Sequence, residues 1–228
     1  METVRHSPKE IKKLRVLVVD DHPVLRQGLK LLINQEPDLM VCGEAENLQQ
    51  AFTAIREKRP DIVIIDLSLA QGSGIDLIKN IKPRYPDLPI LVLSMHEESL
   101  YAERALRAGA RGYIMKKEAP EKVISAIRKV LEGSLYVSEA MGDKLLHQFV
   151  SRKSATVSSP VELFSDRELE VFQLIGKGLG TRQIAEKLNI SIKTVEVYRA
   201  NIKEKLNLKS SAELVQHAIH WMIREDLP

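Results

Sequence analysis

The chain has 228 residues, 44% hydrophobic and 29% charged, with 34 Lys and Arg against 31 Asp and Glu for a net charge of +3. That balance is ordinary for one large or two small globular domains, and no stretch approaches the roughly 18–20 apolar residues that a membrane span needs. A single cysteine, Cys42, excludes an intramolecular disulfide or a zinc site of several thiolates, and the charged extension 1–13 lacks the apolar segment of a secretory signal, so the expectation is a cytoplasmic protein with no membrane partner.

From residue 14 to 135, short β-branched runs alternate with helical periods. The runs are Arg15–Val19, Leu39–Cys42, Ile62–Ile65, Ile90–Leu93 and Gly112–Met115. Continuous apolar runs suit strands covered on both faces, as in a parallel sheet. Pro23 opens the first helix, Leu25, Leu29 and Leu32 give its apolar side, and Pro37 lies beyond its end. A later helix carries Val123, Ile127, Val130 and Leu131 between Pro120 and Gly133. The pattern predicts an α/β fold with a five-stranded, doubly wound parallel sheet.

In such sheets ligands bind beyond the carboxyl ends of the strands. Asp20 and Asp21 follow the first run, Asp66 the third, Ser94 ends the fourth and Lys116 follows the fifth. One aspartate at a strand end is commonly a turn former or helix cap. Three that converge repel one another unless a cation sits among them, and carboxylates are the ligands Mg²⁺ prefers. With a hydroxyl and an ammonium beside them, the group suits a phosphoryl transfer onto a carboxylate.

The segments V-L-V-V-D-D-H, D-L-S-L-A-Q-G-S-G, L-V-L-S and G-Y-I-M-K resemble, in order and spacing, the receiver domains of bacterial two-component response regulators. The resemblance implies a flavodoxin-like fold and phosphorylation of Asp66 by a partner histidine kinase. It implies a Mg²⁺ cofactor held by Asp20, Asp21, Asp66 and the Ser68 carbonyl. Ser94 matches the switch hydroxyl, Tyr113 the switch aromatic and Lys116 the family's lysine. Two positions depart from the pattern: Ala70 stands where proline is usual, loosening the loop, and Met95 stands where a small residue is common, narrowing access.

Residues 136–160 read as a linker with a helical start and a Ser-rich end, Ser151–Pro160. Beyond it, 161–228 read as a small all-helical domain. Ser165 with Glu168 and Ser210 with Glu213 form S-x-x-E capping boxes, and Ser191 is a third cap. Residues 1–140 carry 21 basic and 20 acidic side chains, whereas 177–209 carry eight basic against three acidic. Such a local excess suits a polyanion, although solvated surfaces often show it too. In the predicted helix Ser191–Leu206, the residues Ile192, Val195, Ile202 and Leu206 share an inward face. Lys193, Glu196, Val197, Ala200 and Lys203 share the outward one. Small apolar side chains on an outward face fit a major groove better than bulk water. With Gly178–Gly180 and Asn189–Ile190 bounding a short preceding helix, the layout is a helix-turn-helix.

The stretch from Phe164 to Leu206 resembles the LuxR-type helix-turn-helix of the NarL subfamily. The resemblance implies a transcription regulator that binds double-stranded DNA, with RNA polymerase as a further partner open to it. It places Thr181–Ala200 as the unit that meets DNA, with Glu196, Val197 and Ala200 facing bases. Thr181, Ser191, Lys193, Thr194, Arg199 and Lys203 are further DNA-contacting candidates. Homodimerisation on phosphorylation is implied through the last helix, Ser211–Arg224, with Leu214, Ala218 and Trp221 as candidates for dimer contacts or for core packing. Relatives also imply a receiver that covers the recognition helix until phosphorylated. An aspartyl-nucleophile Mg²⁺ phosphohydrolase is the alternative, but Asp20-Asp21-His22 is not the D-x-D of such enzymes and the length leaves no cap domain. His217 and His220 lack further metal ligands, and Gly176-Lys177-Gly178 is no phosphate loop.

Overall fold

The computed structural model describes residues 13–69, 73–150 and 160–225. Most of the N-terminal extension, Ala70 and the Ser-rich part of the linker lie outside the described residues. The N-terminal domain alternates β1 (Leu14–Val19), α1 (Pro23–Asn34), β2 (Leu39–Ala45), α2 (Leu48–Lys58), β3 (Ile62–Ile65), α3 (Gly74–Ile81), β4 (Ile90–Ser94), α4 (Glu98–Ala108), β5 (Gly112–Met115) and α5 (Pro120–Leu131). All pairings are parallel, in the order β2-β1-β3-β4-β5.

Strict alternation along the buried strands divides the core. Leu17, Val19, Val63, Ile65, Ile90 and Val92 pack toward α2, α3 and α4. Val16, Val18, Ile62, Ile64, Leu91 and Leu93 pack toward α1 and α5. Period-two side chains with helices on both faces require apolar residues on both, which is why the strands read as unbroken runs. β2 runs three residues past its expected end, through Gly43, Glu44 and Ala45. It is an edge strand, and its half-covered face tolerates Glu44 in a ladder.

The stretch expected as a linker is more ordered than its composition suggested. Tyr136 bridges Gly112 of β5, and α6 (Glu139–Val150) lies on α4 with Met141 buried. A 3₁₀ turn (Pro160–Leu163) leads into the C-terminal domain: α7 (Asp166–Gly176), α8 (Thr181–Leu188), α9 (Ile192–Lys205) and α10 (Ser211–Glu225). The α7 capping box is complete, Ser165 Oγ accepting from Glu168 N and Glu168 Oε2 from Ser165 N. Ser210 Oγ likewise accepts from Glu213 N, but the Glu213 carboxylate accepts from Lys209 N and from the Ser210 hydroxyl rather than from Ser210 N.

Phe172, Ile184, Val195, Ile202, Leu214 and Ala218 form the core of this domain, each fully buried. Gly176 makes room for α10: a Cβ there would meet Ala218 O at 2.8 Å. Leu214 and Ala218 therefore face α7 within their own domain and are not available to a second copy. Trp221 is half-buried against Phe172, with ring centroids 5.6 Å apart. The exposed apolar side of α10 is instead Ile219 and Ile223.

Candidate functional site

Register brings the acidic groups together. Val19 pairs with Ile65, so Asp20 and Asp66 leave adjacent parallel strands side by side, and Asp66 N donates to Val19 O at 2.9 Å. Both carboxylates are buried, each residue 2% exposed. Lys116 Nζ, arriving from the end of β5, lies 2.6 Å from Asp20 Oδ2 and 2.7 Å from Asp66 Oδ2. Burial pushes the Asp66 carboxyl up to about 6, against the pull of the Lys116 ammonium. Asp66 Oδ1 is buried without a hydrogen-bond partner. Three carboxylates against one ammonium leave two negative charges, and ligand atoms of Asp20, Asp21, His22 and Asp66 all lie within 4.8 Å of one another. An unpartnered oxygen, three carboxylates and a residual charge of that size suit a hard divalent cation.

Two residues that the sequence reading passed over shape this pocket. His22 N donates to Asp20 Oδ1 at 2.8 Å, and its Nδ1 lies 2.8 Å from Asp21 Oδ1. Arg26, buried on α1, donates to Asp20 O and to Glu46 Oε1, both at 2.5 Å. An arginine on the inward side of an amphipathic helix was the available signal, since burying its charge demands such partners. Gly74 completes the loop: a Cβ there would come within 2.2 Å of Asp66 O, so no side chain fits where α3 begins.

Ser94 is fully buried at the end of β4, its hydroxyl accepting from His96 N at 3.2 Å. Tyr113 points inward, 1% exposed, and its hydroxyl donates to His96 O at 2.8 Å. Burial raises the Tyr113 phenol well above its usual range. Ser68 is exposed, and its Oγ lies 2.8 Å from His96 Nε2. Met95 is 69% exposed.

In the C-terminal domain α8 is framed as expected. Gly180 caps it and Asn189 ends it with a left-handed φ of 51°. Ser191 Oγ accepts from Thr194 N at 3.0 Å and starts α9. Val195 and Ile202 are fully buried, and Leu206 is half-buried. Ile192, expected inside, is 47% exposed, because the first turn of α9 extends past the core. Lys193, Glu196, Val197 and Ala200 are exposed on one side, with Thr181, Thr194, Arg199 and Lys203 half-buried around them. The domains meet elsewhere. Asp166 is held by Lys79 at 2.9 Å and Arg104 at 3.1 Å, Arg104 also donates to Val161 O and Phe164 O, and Tyr101 hydroxyl donates to Gln173 Oε1 at 2.9 Å. Among the described residues, the N-terminal domain holds α7 through the complementary charges at its start and leaves the outer face of α9 exposed, so the covering expected of the recognition helix is not seen there.

Comparison with known proteins agrees with this division. Residues 16–128 match the response regulator receiver domain family, and residues 162–218 match the bacterial regulatory proteins, luxR family. The oxygen regulatory protein NreC of Staphylococcus epidermidis is 38% identical over 217 residues, covering 93% of this chain and 100% of that protein. The RcsB response regulator of Salmonella typhimurium superposes with a TM-score of 0.64 at 26% identity, covering 92% of this chain and 98% of RcsB. A Salmonella enterica RcsB structure, bound to promoter rprA in the presence of phosphomimetic BeF3-, gives a TM-score of 0.60 at 27% identity over 91% of this chain and 98% of that one.

Proposed function

Since the chain belongs to the two-component response regulators that join a receiver domain to a LuxR-type DNA-binding domain, we propose that phosphorylation of Asp66 governs its binding to promoter DNA. The carrying observation is the asymmetric Asp66 carboxylate, with Oδ2 fixed by Lys116 and Oδ1 unpartnered. In this reading Oδ1 attacks the phosphorus of a phosphohistidine on a sensor kinase. The new O–P bond forms as the N–P bond breaks, and the imidazole leaves. Lys116 holds the carboxylate and then pairs with a phosphoryl oxygen, while the Ser94 hydroxyl turns from His96 N toward the phosphoryl group. Asp20, Asp21, Asp66 and the Ser68 carbonyl are the proposed ligands of Mg²⁺, which when bound neutralises charge on the transferring group. Arg26 and His22 hold Asp20 in place for that role. The receiver assists only its own phosphorylation and slow dephosphorylation, and the family is one of transcription regulators rather than phosphohydrolases.

On the DNA side, Glu196, Val197 and Ala200 are proposed to face base edges. Thr181, Ser191, Lys193, Thr194, Arg199 and Lys203 are proposed to contact or position the phosphate backbone. Phosphorylation is proposed to promote a homodimer, with Ile219 and Ile223 on α10 available for contact between DNA-bound domains. A cytoplasmic location and recruitment of RNA polymerase belong to the same reading. The test is intact mass after incubation with Mg²⁺ and acetyl phosphate. One acid-stable, base-labile phosphoryl group is expected on the full chain, and none on Asp66→Asn. Labelling of that variant, or turnover of phosphate monoesters, overturns the assignment.

A further inference from the structure

The loop after β4 carries one residue whose contacts reach three places at once. His96 Nε2 lies 2.8 Å from Ser68 Oγ, two residues beyond Asp66. Its backbone N–H donates to Ser94 Oγ and its carbonyl accepts from the Tyr113 hydroxyl. Its ring stacks on Tyr101, with centroids 4.4 Å apart and planes 28° from parallel. Tyr101, 1% exposed, in turn donates to Gln173 on α7 of the DNA-binding domain. The path from the Asp66 loop to the second domain is therefore three contacts long: Ser68 to His96, His96 to Tyr101, and Tyr101 to Gln173.

We infer that His96 is the positioning residue that couples phosphorylation of Asp66 to the docking of the DNA-binding domain, an inference that rests on the function proposed above. Without a phosphoryl group, the Ser68 and Ser94 hydroxyls both hold the His96 loop, and the ring keeps Tyr101 aimed at Gln173. Once the Ser94 hydroxyl turns to the phosphoryl group, the His96 N–H loses its acceptor, and the loop, still tied by Tyr113 and Ser68, shifts about those two contacts. The stack on Tyr101 then opens and the Gln173 bond goes with it. The Lys79–Asp166 pair is exposed on the lysine side, 54%, and such pairs hold weakly and yield to salt. Arg104, 19% exposed, holds Asp166, Val161 O and Phe164 O without touching this path, so loss of the Tyr101–Gln173 bond weakens docking rather than abolishing it. The buried apolar cluster runs without a break from the receiver into the DNA-binding domain, so a shift of Tyr101 is felt across the interface. Because coupling is reciprocal, the undocked domain also favours the phosphorylated site.

The experiment measures the distance between domains by pulsed electron spin resonance. Spin labels are placed at Gln49→Cys on α2 and Gln216→Cys on α10, both exposed, in a Cys42→Ser background. The probe is BeF3- with Mg²⁺, and fluorine NMR of the same samples reports its occupancy. In the full chain with His96 intact, BeF3- should deplete the docked distance. His96→Ala should deplete it without BeF3-, shifting the docked ratio by about tenfold, within the range for coupled sites. His96→Phe keeps a ring on Tyr101 but loses Ser68, so it should stay docked and respond less at equal BeF3- occupancy. Tyr101→Phe, which removes one hydroxyl, should weaken docking with BeF3- occupancy unchanged, and it serves if His96→Ala does not fold. Docking and release identical to the parent in all three variants, at equal occupancy, overturns the inference. Absence of bound BeF3- in the parent chain instead overturns the assignment of Asp66, and the inference falls with it.

Discussion

The acidic pocket and the outer face of α9 use charge in opposite ways. Asp20, Asp66 and Lys116 are buried within salt-bridge distance at the ends of three strands. Lys193, Glu196 and the residues around them are spread along one helix in contact with solvent. Two unit charges 4 Å apart interact by about 1 kcal/mol in water and about 4 kcal/mol at the effective dielectric of a protein site. Each pocket charge is therefore indispensable to the other two. Each charge on α9 contributes a small, separable amount, and function there comes from the sum.

The largest effect should come from breaking the pocket. Replacing both Asp20 and Asp21 by Asn removes two of the three carboxylates and leaves Lys116 with Asp66 alone. Labelling of Asp66 by acetyl phosphate should fall below detection at any Mg²⁺ concentration, read by intact mass. Retained labelling would mean that the pair has no part in holding a cation. The next effect is confined to the other region. Ile202 is fully buried beneath the recognition face, so Ile202→Ala should destabilise the DNA-binding domain by about 2–5 kcal/mol, measured by thermal unfolding. Asp66 labelling should survive. If labelling fell in step with the unfolding of that domain, the two regions would not be separable in the way their structures suggest.

What could be read from the sequence follows the same contrast. The strands were legible because burial on both faces leaves unbroken apolar runs, and their ends placed Asp20, Asp66, Ser94 and Lys116 without any tertiary knowledge. β2 was cut short because an edge strand admits Gly43 and Glu44. The helix α6 reads as the start of a linker because, among its described side chains, only Met141 is deeply buried. On α10 the helical period identifies two apolar sides but not which one is inside. The approach of α7 at Gly176 decides that, and puts Leu214 and Ala218 within the core. His96 was illegible for another reason. Its partners Ser68, Tyr101 and Tyr113 are brought to it by a loop, a helix and a strand, and nothing local in L-V-L-S-M-H marks it as a junction.

Within the exposed face, Glu196→Lys sharpens the comparison. An anion is removed from the groove of a polyanion, so nonspecific affinity should rise. Discrimination at one base pair should change by about 1–3 kcal/mol, since a carboxylate suits cytosine N4 and an ammonium suits guanine. A binding titration on a library of sites reads both effects. An effect equal on all sequences would show that Glu196 does not face base edges.

The smallest effect belongs to Lys203. It lies two turns beyond Glu196 and is half-buried, and the proposed reading gives it a phosphate rather than a base edge. A phosphate contact releases condensed counterions, so its loss is read in the salt dependence more clearly than in the affinity. Lys203→Ala should weaken binding equally on cognate and unrelated duplexes and reduce the slope of log K against log salt by about 0.9. The measurement is a titration of both duplexes at several salt concentrations, alongside Glu196→Lys. A slope unchanged by Lys203→Ala, with specificity altered at one position, would exchange the roles given to the two residues. The face would still read DNA, but its base-reading edge would lie nearer the end of α9 than its exposed residues indicate.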